Sequence, residues 1–147
     1  NDNFDLKNSH VLPALNRKFH EAKKNGDKQV VAWGTGSPRR EFLHTDDMAD
    51  GCVFLMNNFI PSKEQYEKGN IFMNLGVGED VSIKELTDLI KKVVGYEGEV
   101  VWDSSKPDGT PQKLLDVDKM RSLGWKAKIS LQAGLESTYS WYVDSLE

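Results

Sequence analysis

The stretch WGTGSPRREFLHTDDMADG, from Trp33 to Gly51, gathers an aromatic ring, a glycine-rich turn, paired arginines, a histidine and several aspartates into nineteen residues. Imidazole and carboxylate are ligands for a divalent ion, so His44, Asp46 and Asp47 could begin a metal site. The other two histidines, His10 and His20, lie ten residues apart on one helical pattern, a spacing that does not aim two ligands at one ion. No metal site is therefore expected. Arg39 and Arg40 follow the glycine turn, and a guanidinium offers paired donors that match two phosphate oxygens. A second polar loop, SKPDGTPQK, carries Lys106 and Lys113 on either side of Asp108, and a long polar loop inside a compact domain more often binds than merely connects. Trp33 and Trp102 each end a β-like run beside one of these loops, so either could serve as an aromatic platform, with core packing as the commoner use. The third reading is an ordinary hairpin running into a helix that Thr45 or Asp46 caps.

The elements that must position these groups follow from the hydrophobic spacing. Val11, Leu12, Leu15, Phe19 and Ala22 recur near 3.6 residues and predict a helix, with Asn8 or Ser9 as cap and Pro13 in the first turn. QVVAW reads as a strand, GTGSP as a turn and REFLHT as a short strand. Met48, Cys52, Leu55, Met56 and Phe59 then recur at helical spacing, which puts Cys52, the only cysteine, on an apolar face as inert packing. PSKEQYEKG is a polar connection, and NIFMNLG is an apolar run of the kind found in a buried parallel strand. Ser82 and Glu85 form a capping box for IKELTDLIKKVVG, which Gly95 closes. EVVW is a further strand, DSSKPDGTPQK a long loop, DVDKMRSLG a short helix, and Ser130 the cap of a last helix. Strands alternating with helices define an α/β class.

Composition removes several functions. A formal net charge of −4 argues against broad nucleic-acid binding, so any anion site must be local. One cysteine allows no intrachain disulfide, which favours a reducing compartment, and the cytoplasm is the expected location. No apolar run approaches bilayer length, so no membrane partner is expected. The first ten residues lack the basic start and apolar segment of a signal peptide. A Walker loop, an H-E-x-x-H pair, a G-x-G-x-x-G turn and a Ser, His and Asp arrangement are all missing.

The strings NSHVLPALNRKFHEAK, VVAWGTGSPRREFLHTDDMADG, KVVGYEGEVVWDSSKPDGTPQKLLDV and LGWKAKISLQAGLESTYSWY resemble, in that order and spacing, the carboxy-terminal part of the GDP-keto-sugar epimerase/reductases of the extended short-chain dehydrogenase/reductase family. The resemblance spans nearly the whole chain and is weakest over NFIPSKEQYEKGN. It implies an α/β fold in which residues 1–147 are a small GDP-sugar-binding domain, with elements that would join the sheet of an amino-terminal Rossmann domain. That Rossmann domain, the partner the resemblance implies, would carry NADP(H), the reduction triad and the family's catalytic cysteine, none of which is in this chain; Cys52 does not replace that cysteine. The implied reaction converts GDP-4-keto-6-deoxymannose to GDP-L-fucose by 3,5-epimerisation and NADPH-dependent 4-reduction, in a protein that would be a homodimer at full length. His10 falls on the catalytic histidine, the acid partner in epimerisation, which also borders the cofactor; imidazole is the usual proton-transfer group near neutrality. Lys18, Trp33, Arg40 and Lys113 fall on substrate-binding positions, Lys18 where relatives usually have arginine, and Asp108 lies in the matching substrate loop. Gln112 stands where relatives often carry arginine. The chain alone is expected to bind no cofactor and to catalyse nothing. The alternatives are a stand-alone nucleotide-sugar-binding module, or the substrate domain of another extended epimerase/reductase.

Overall fold

The same succession of helix, glycine and strand occurs twice. Helix α1, Val11–Asn25, leads through Gly26 to strand β1, Gln29–Trp33; helix α4, Ile83–Val94, leads through Gly95 to strand β4, Glu99–Asp103. The structure, a computed structural model, describes residues 2–6 and 8–146. β1 and β4 lie side by side in parallel, from Gln29 opposite Glu99 to Trp33 opposite Asp103. Parallel neighbours require a crossover, and α4 lies on the path that supplies it. Leu15, Phe19 and Ala22 of α1, Val30 and Ala32 of β1, and Leu86, Ile90 and Val94 of α4 form the core. Lys23 Nζ donates to the Val94 carbonyl at 2.7 Å, satisfying an orphan acceptor at the end of α4. Helix α6, Leu131–Asp144, buries Leu135 and Tyr142; Phe4 stacks on Tyr142 with ring centroids 4.3 Å apart, and His20 Nδ1 lies 3.1 Å from the Tyr139 hydroxyl.

Where composition suggests one core, the chain divides into two compact units. The first comprises Asn1–Arg40, Val81–Gln112 and Gln132–Glu147, and the second Glu41–Asp80 and Lys113–Leu131. A small sheet in the order β3-β2-β5 includes β2, Arg39–Arg40, β3, Val81–Ser82, and β5, Gln112–Lys113. β2 and β3 are antiparallel, with Arg39 opposite Ser82 and Arg40 opposite Val81. Of the strand expected over REFLHT, only the first residue, Arg40, lies in a strand, together with Arg39 before it.

The second unit contains α2, Thr45–Asn58, the short α3, Lys63–Glu67, and α5, Asp118–Ser122. Val117, Met120 and Trp125 are its buried apolar residues, and α2 meets the rest of the unit through carboxylates rather than the expected apolar face. Asp47 is 3% exposed and accepts from the Lys128 and Ile129 amides at 3.0 and 2.8 Å. Asp50 accepts from the Trp125 indole at 2.8 Å, and that hydrogen bond first, then the one from Lys128, holds its carboxyl below the usual range. Met48, Cys52 and Met56 are instead exposed, and α2 buries only Asp47 and Gly51. Cys52 is thus not packed, because the helix turns its polar stripe inward to reach backbone donors. NIFMNLG forms no strand: an isolated apolar run has no ladder to join among the described residues, and Ile71 and Phe72 are exposed. Two expected caps also differ. α1 begins after His10 with no side-chain cap, and α2 is capped by His44, whose Nδ1 accepts from the Asp46 amide at 3.2 Å.

Candidate anion-binding site

Strand alternation buries Val30 and Ala32 and leaves Trp33 at the end of β1 with 61% of its surface exposed. Gly34 and Gly36 follow, at φ 81° and 77°, where a side chain is rarely tolerated. Close approach adds a second reason for glycine. A Cβ on Gly36 would lie 2.6 Å from the Trp102 ring, and one on Gly34 would overlap the Asp108 carboxylate. Of the two tryptophans, Trp102 is thus the packing residue beneath the turn, and Trp33 is the one left for a ligand.

The turn also closes the amino end of α4. Its Pro38 and Gly36 carbonyls accept from the Ile83 and Lys84 amides, each at 2.9 Å, while the Ser82–Glu85 capping box satisfies the Ser82 and Glu85 amides on either side. All four donors of that helix start are occupied, so it offers no backbone cradle for phosphate. Charge for an anion must come from side chains.

The loop after β4 is stitched to this turn. Asp103 O accepts from the Gly34 amide at 2.9 Å and the Lys106 amide at 3.2 Å, and Pro111 O accepts from the Arg39 amide at 2.8 Å. Between these ends, Asp108 Oδ1 accepts from the Thr35 amide and Oδ2 from the Thr35 hydroxyl, both at 2.7 Å. The amide and then the hydroxyl hold the Asp108 carboxyl below the usual carboxylate range. Asp103 is held low in the same way by Ser105, through its hydroxyl first and its amide second.

Two clefts share Trp33, Val11 and Ile83 as walls. One, of about 190 Å³, includes Arg40 and Asp108; the other, of about 240 Å³, includes Lys18 and Trp102. Lys18 Nζ donates to the Val31 carbonyl at 3.1 Å and lies 5.1 Å from the Trp33 ring centroid; burial lowers its pKa. Lys106 Nζ lies 5.6 Å from the same centroid. Arg40 Nη1 donates to the Arg39 carbonyl at 2.7 Å. Arg39 is spent on Glu85, 3.5 Å away, whereas Lys18, Arg40 and Lys106 show no ion pair among the described residues. In a chain of net charge −4, Lys18, Arg40 and Lys106 thus bring positive charge to the clefts at Trp33, with the Asp103 carboxylate acting on Lys106.

The structure therefore gathers Lys18, Trp33, Arg40 and Asp108, and it spends the Asp108 carboxylate on Thr35. His10 is exposed at the start of α1, next in sequence to the cleft residue Val11. Lys113 is exposed in β5, in the chain segment of the second unit. Sequence reasoning gave Thr35 no role and did not place Lys106 against Trp33; a hydroxyl residue between two glycines, opposite an Asx-rich loop, was the available signal. The metal alternative finds no support, since no group of three ligating residues occurs among the described residues, and His44 and Asp47 are spent on backbone donors.

The chain is similar in sequence and in fold to known proteins. The model of the NAD dependent epimerase/dehydratase family matches residues 1–69. The chain is 56% identical over 146 residues to GDP-L-fucose synthase 1 of Arabidopsis thaliana, and 50% identical over 147 residues to the GDP-L-fucose synthase of Escherichia coli K12. These matches take in 99% and 98% of this chain but only 43% and 45% of the relatives, so the chain spans less than half their length. Among solved structures, a GDP-6-OMe-4-keto-L-xylo-heptose reductase from C. jejuni superposes with a TM-score of 0.87 at 38% identity, over 97% of this chain and 50% of that one. A GDP-L-fucose synthetase from Naegleria fowleri bound to NADP superposes with a TM-score of 0.85 at 29% identity, over 99% and 43%. Along almost its entire length the chain is similar in sequence and in fold to part of the GDP-L-fucose synthases, and its first 69 residues match the NAD dependent epimerase/dehydratase model.

Proposed function

We propose that this chain is the GDP-sugar-holding part of an NADPH-dependent epimerase/reductase that converts GDP-4-keto-6-deoxymannose to GDP-L-fucose. The observation that carries the reading is the meeting of Lys18 and Arg40, neither in an ion pair, at the exposed Trp33. Their charges would hold the diphosphate, and Trp33 would wall the cleft. A hold on the diphosphate, remote from the sugar carbons that react, positions the reacting centre through several steps without taking part in them. His10, exposed beside the cleft residue Val11, would return a proton to the sugar. Lys113 would complete the substrate contacts.

Apart from His10, which would border the cofactor, the described residues form no NADP(H) site of their own. The glycine turn after β1 spends its carbonyls on α4, whose amino end is closed, and no dinucleotide fingerprint occurs in the sequence. Cofactor binding and reduction would belong to a Rossmann domain in the whole protein, which we take to be a cytoplasmic homodimer. No helix among the described residues is long and apolar enough to cross a membrane.

Titration of the 147-residue chain with GDP, UDP and dTDP tests the reading. GDP should bind most tightly, with no loss in the presence of a chelator, and Arg40→Ala should weaken it by roughly 1.5–3 kcal/mol. Equal affinity for the three nucleotides, or an Arg40→Ala variant that binds normally, would overturn it.

A further inference from the structure

We infer that Trp33 works through the two lysines beside it, and that Lys106 is a further ligand-contacting residue which, with Lys18, makes a two-pronged clamp for a diphosphate. The inference rests on the anion-site reading and goes beyond it by giving Trp33, Lys106, Asp108 and Thr35 separate tasks. An indole holds an ammonium through the negative face of its π system, and the attraction is effective within about 6 Å of the centroid. Both Lys18, at 5.1 Å, and Lys106, at 5.6 Å, satisfy that condition on the same ring. Two ammonium groups on one indole repel each other; the Asp103 carboxylate acts on Lys106, but no carboxylate is a cause of the Lys18 shift and neither lysine is in an ion pair among the described residues, so nothing there compensates both. A ligand with adjacent negative oxygens would.

Lys106 reaches this position because its loop is fixed. Its own amide is bonded to Asp103 O, and two residues later Asp108 is clasped to Thr35 through both carboxylate oxygens. A carboxylate in an anion cleft would oppose a diphosphate if its lone pairs faced the ligand. Here they face the Thr35 amide and hydroxyl, so Asp108 acts as a positioning residue for Lys106. Trp33 is likewise a positioning residue, and it differs in a measurable way from a tryptophan that stacks on a nucleobase: its removal should weaken inorganic diphosphate and GDP alike.

The test uses the 147-residue chain, with calorimetric titration of inorganic diphosphate, GDP and guanosine. Lys106→Met should weaken diphosphate and GDP by about 10-fold, the scale of one charge-assisted contact, and Lys106→Arg should restore most of it. Trp33→Leu should weaken both ligands by the same factor, while Trp33→Phe, which keeps a π face, should lose less. Thr35→Val should weaken both ligands through Lys106, with no added effect in the Lys106→Met background. Lys106 is exposed, so its variants should melt as the parent does. If Lys106→Met binds normally while Arg40→Ala does not, the inference fails and the anion-site reading stands. Should Trp33→Leu lose GDP and guanosine but keep diphosphate, Trp33 is a base platform and the inference is overturned. If the parent chain binds neither diphosphate nor GDP, both readings fall.

Discussion

Replacing Gly36 by alanine isolates what the turn between Trp33 and Arg40 requires. Gly26 provides the control, because it has a similar φ of 70° and nothing within 4 Å of an added Cβ. Left-handed backbone costs a side-chain-bearing residue about 1–2 kcal/mol, and Gly26→Ala should cost no more than that. At Gly36, φ 77°, the methyl group would also meet three carbons of the Trp102 ring at 2.6 to 2.9 Å. Relief of such an overlap is an overpacking problem of about 1–3 kcal/mol, so Gly36→Ala should cost about 2–5 kcal/mol in all. Amide exchange at β1 and β4 reads the stability of the first unit directly, without assuming that both units unfold together. In a Trp102→Leu background the ring is gone, and the cost at Gly36 should fall toward the Gly26 value. A Gly36→Ala penalty no larger than that of Gly26→Ala, or one unchanged by Trp102→Leu, would refute the argument.

Asp47→Ala should cost the second unit about 2–3 kcal/mol, read by thermal melting, since it strands two amides that the buried carboxylate now satisfies. The Asp108 clasp carries a definite pH sign. Its folded pKa is below the unfolded one, so the stability it contributes is fully present above the ordinary aspartate range and is lost as pH falls through the folded value. The Thr35 amide resonance should accordingly titrate with a midpoint below that of an unperturbed aspartate, and a midpoint at or above it would contradict the clasp. The chain alone should self-associate, because Met56, Ile60 and Phe72 are 75%, 90% and 66% exposed. Sedimentation would check this, with the part of the Escherichia coli relative that lies outside the match added in trans to restore a single species; a monodisperse monomer indifferent to that addition would count against it.

Local chemistry made part of this legible in the sequence. The helix at 83–94 could be read because Ser82, Glu85 and Gly95 are signals whose partners lie within a few residues. QVVAW and EVVW were readable for the same reason, as short β-branched runs bounded by turns. The same capping logic would have found α3, where Ser62 and Gln65 form a second box inside what reads as a plain connection. α2 misled because its apolar spacing is real, while its burial is decided by Lys128 and Ile129, some eighty residues away, whose amides need the Asp47 carboxylate. The gathering of Lys18, Trp33, Arg40 and Asp108 came from resemblance rather than spacing. Residues drawn from α1, β1, β2 and the 103–111 loop have no shared periodicity, and the Asp108–Thr35 clasp spans 73 positions. The only local trace of that clasp was a hydroxyl residue between two glycines, which names no partner.

The plugged amino end of α4 bears on how this site can change over generations. A phosphate cradle made of backbone amides depends on glycines and a fixed path, so one substitution tends to abolish it. Here the peptide groups are committed to holding the turn, and on the proposed reading recognition would fall to side chains such as Lys18, Arg40 and Lys106. Lysine and arginine can replace each other at such places one at a time, trading a fork for a point charge without disturbing the scaffold. Preference among nucleotide sugars could therefore drift in small steps while the turn beneath stays the same.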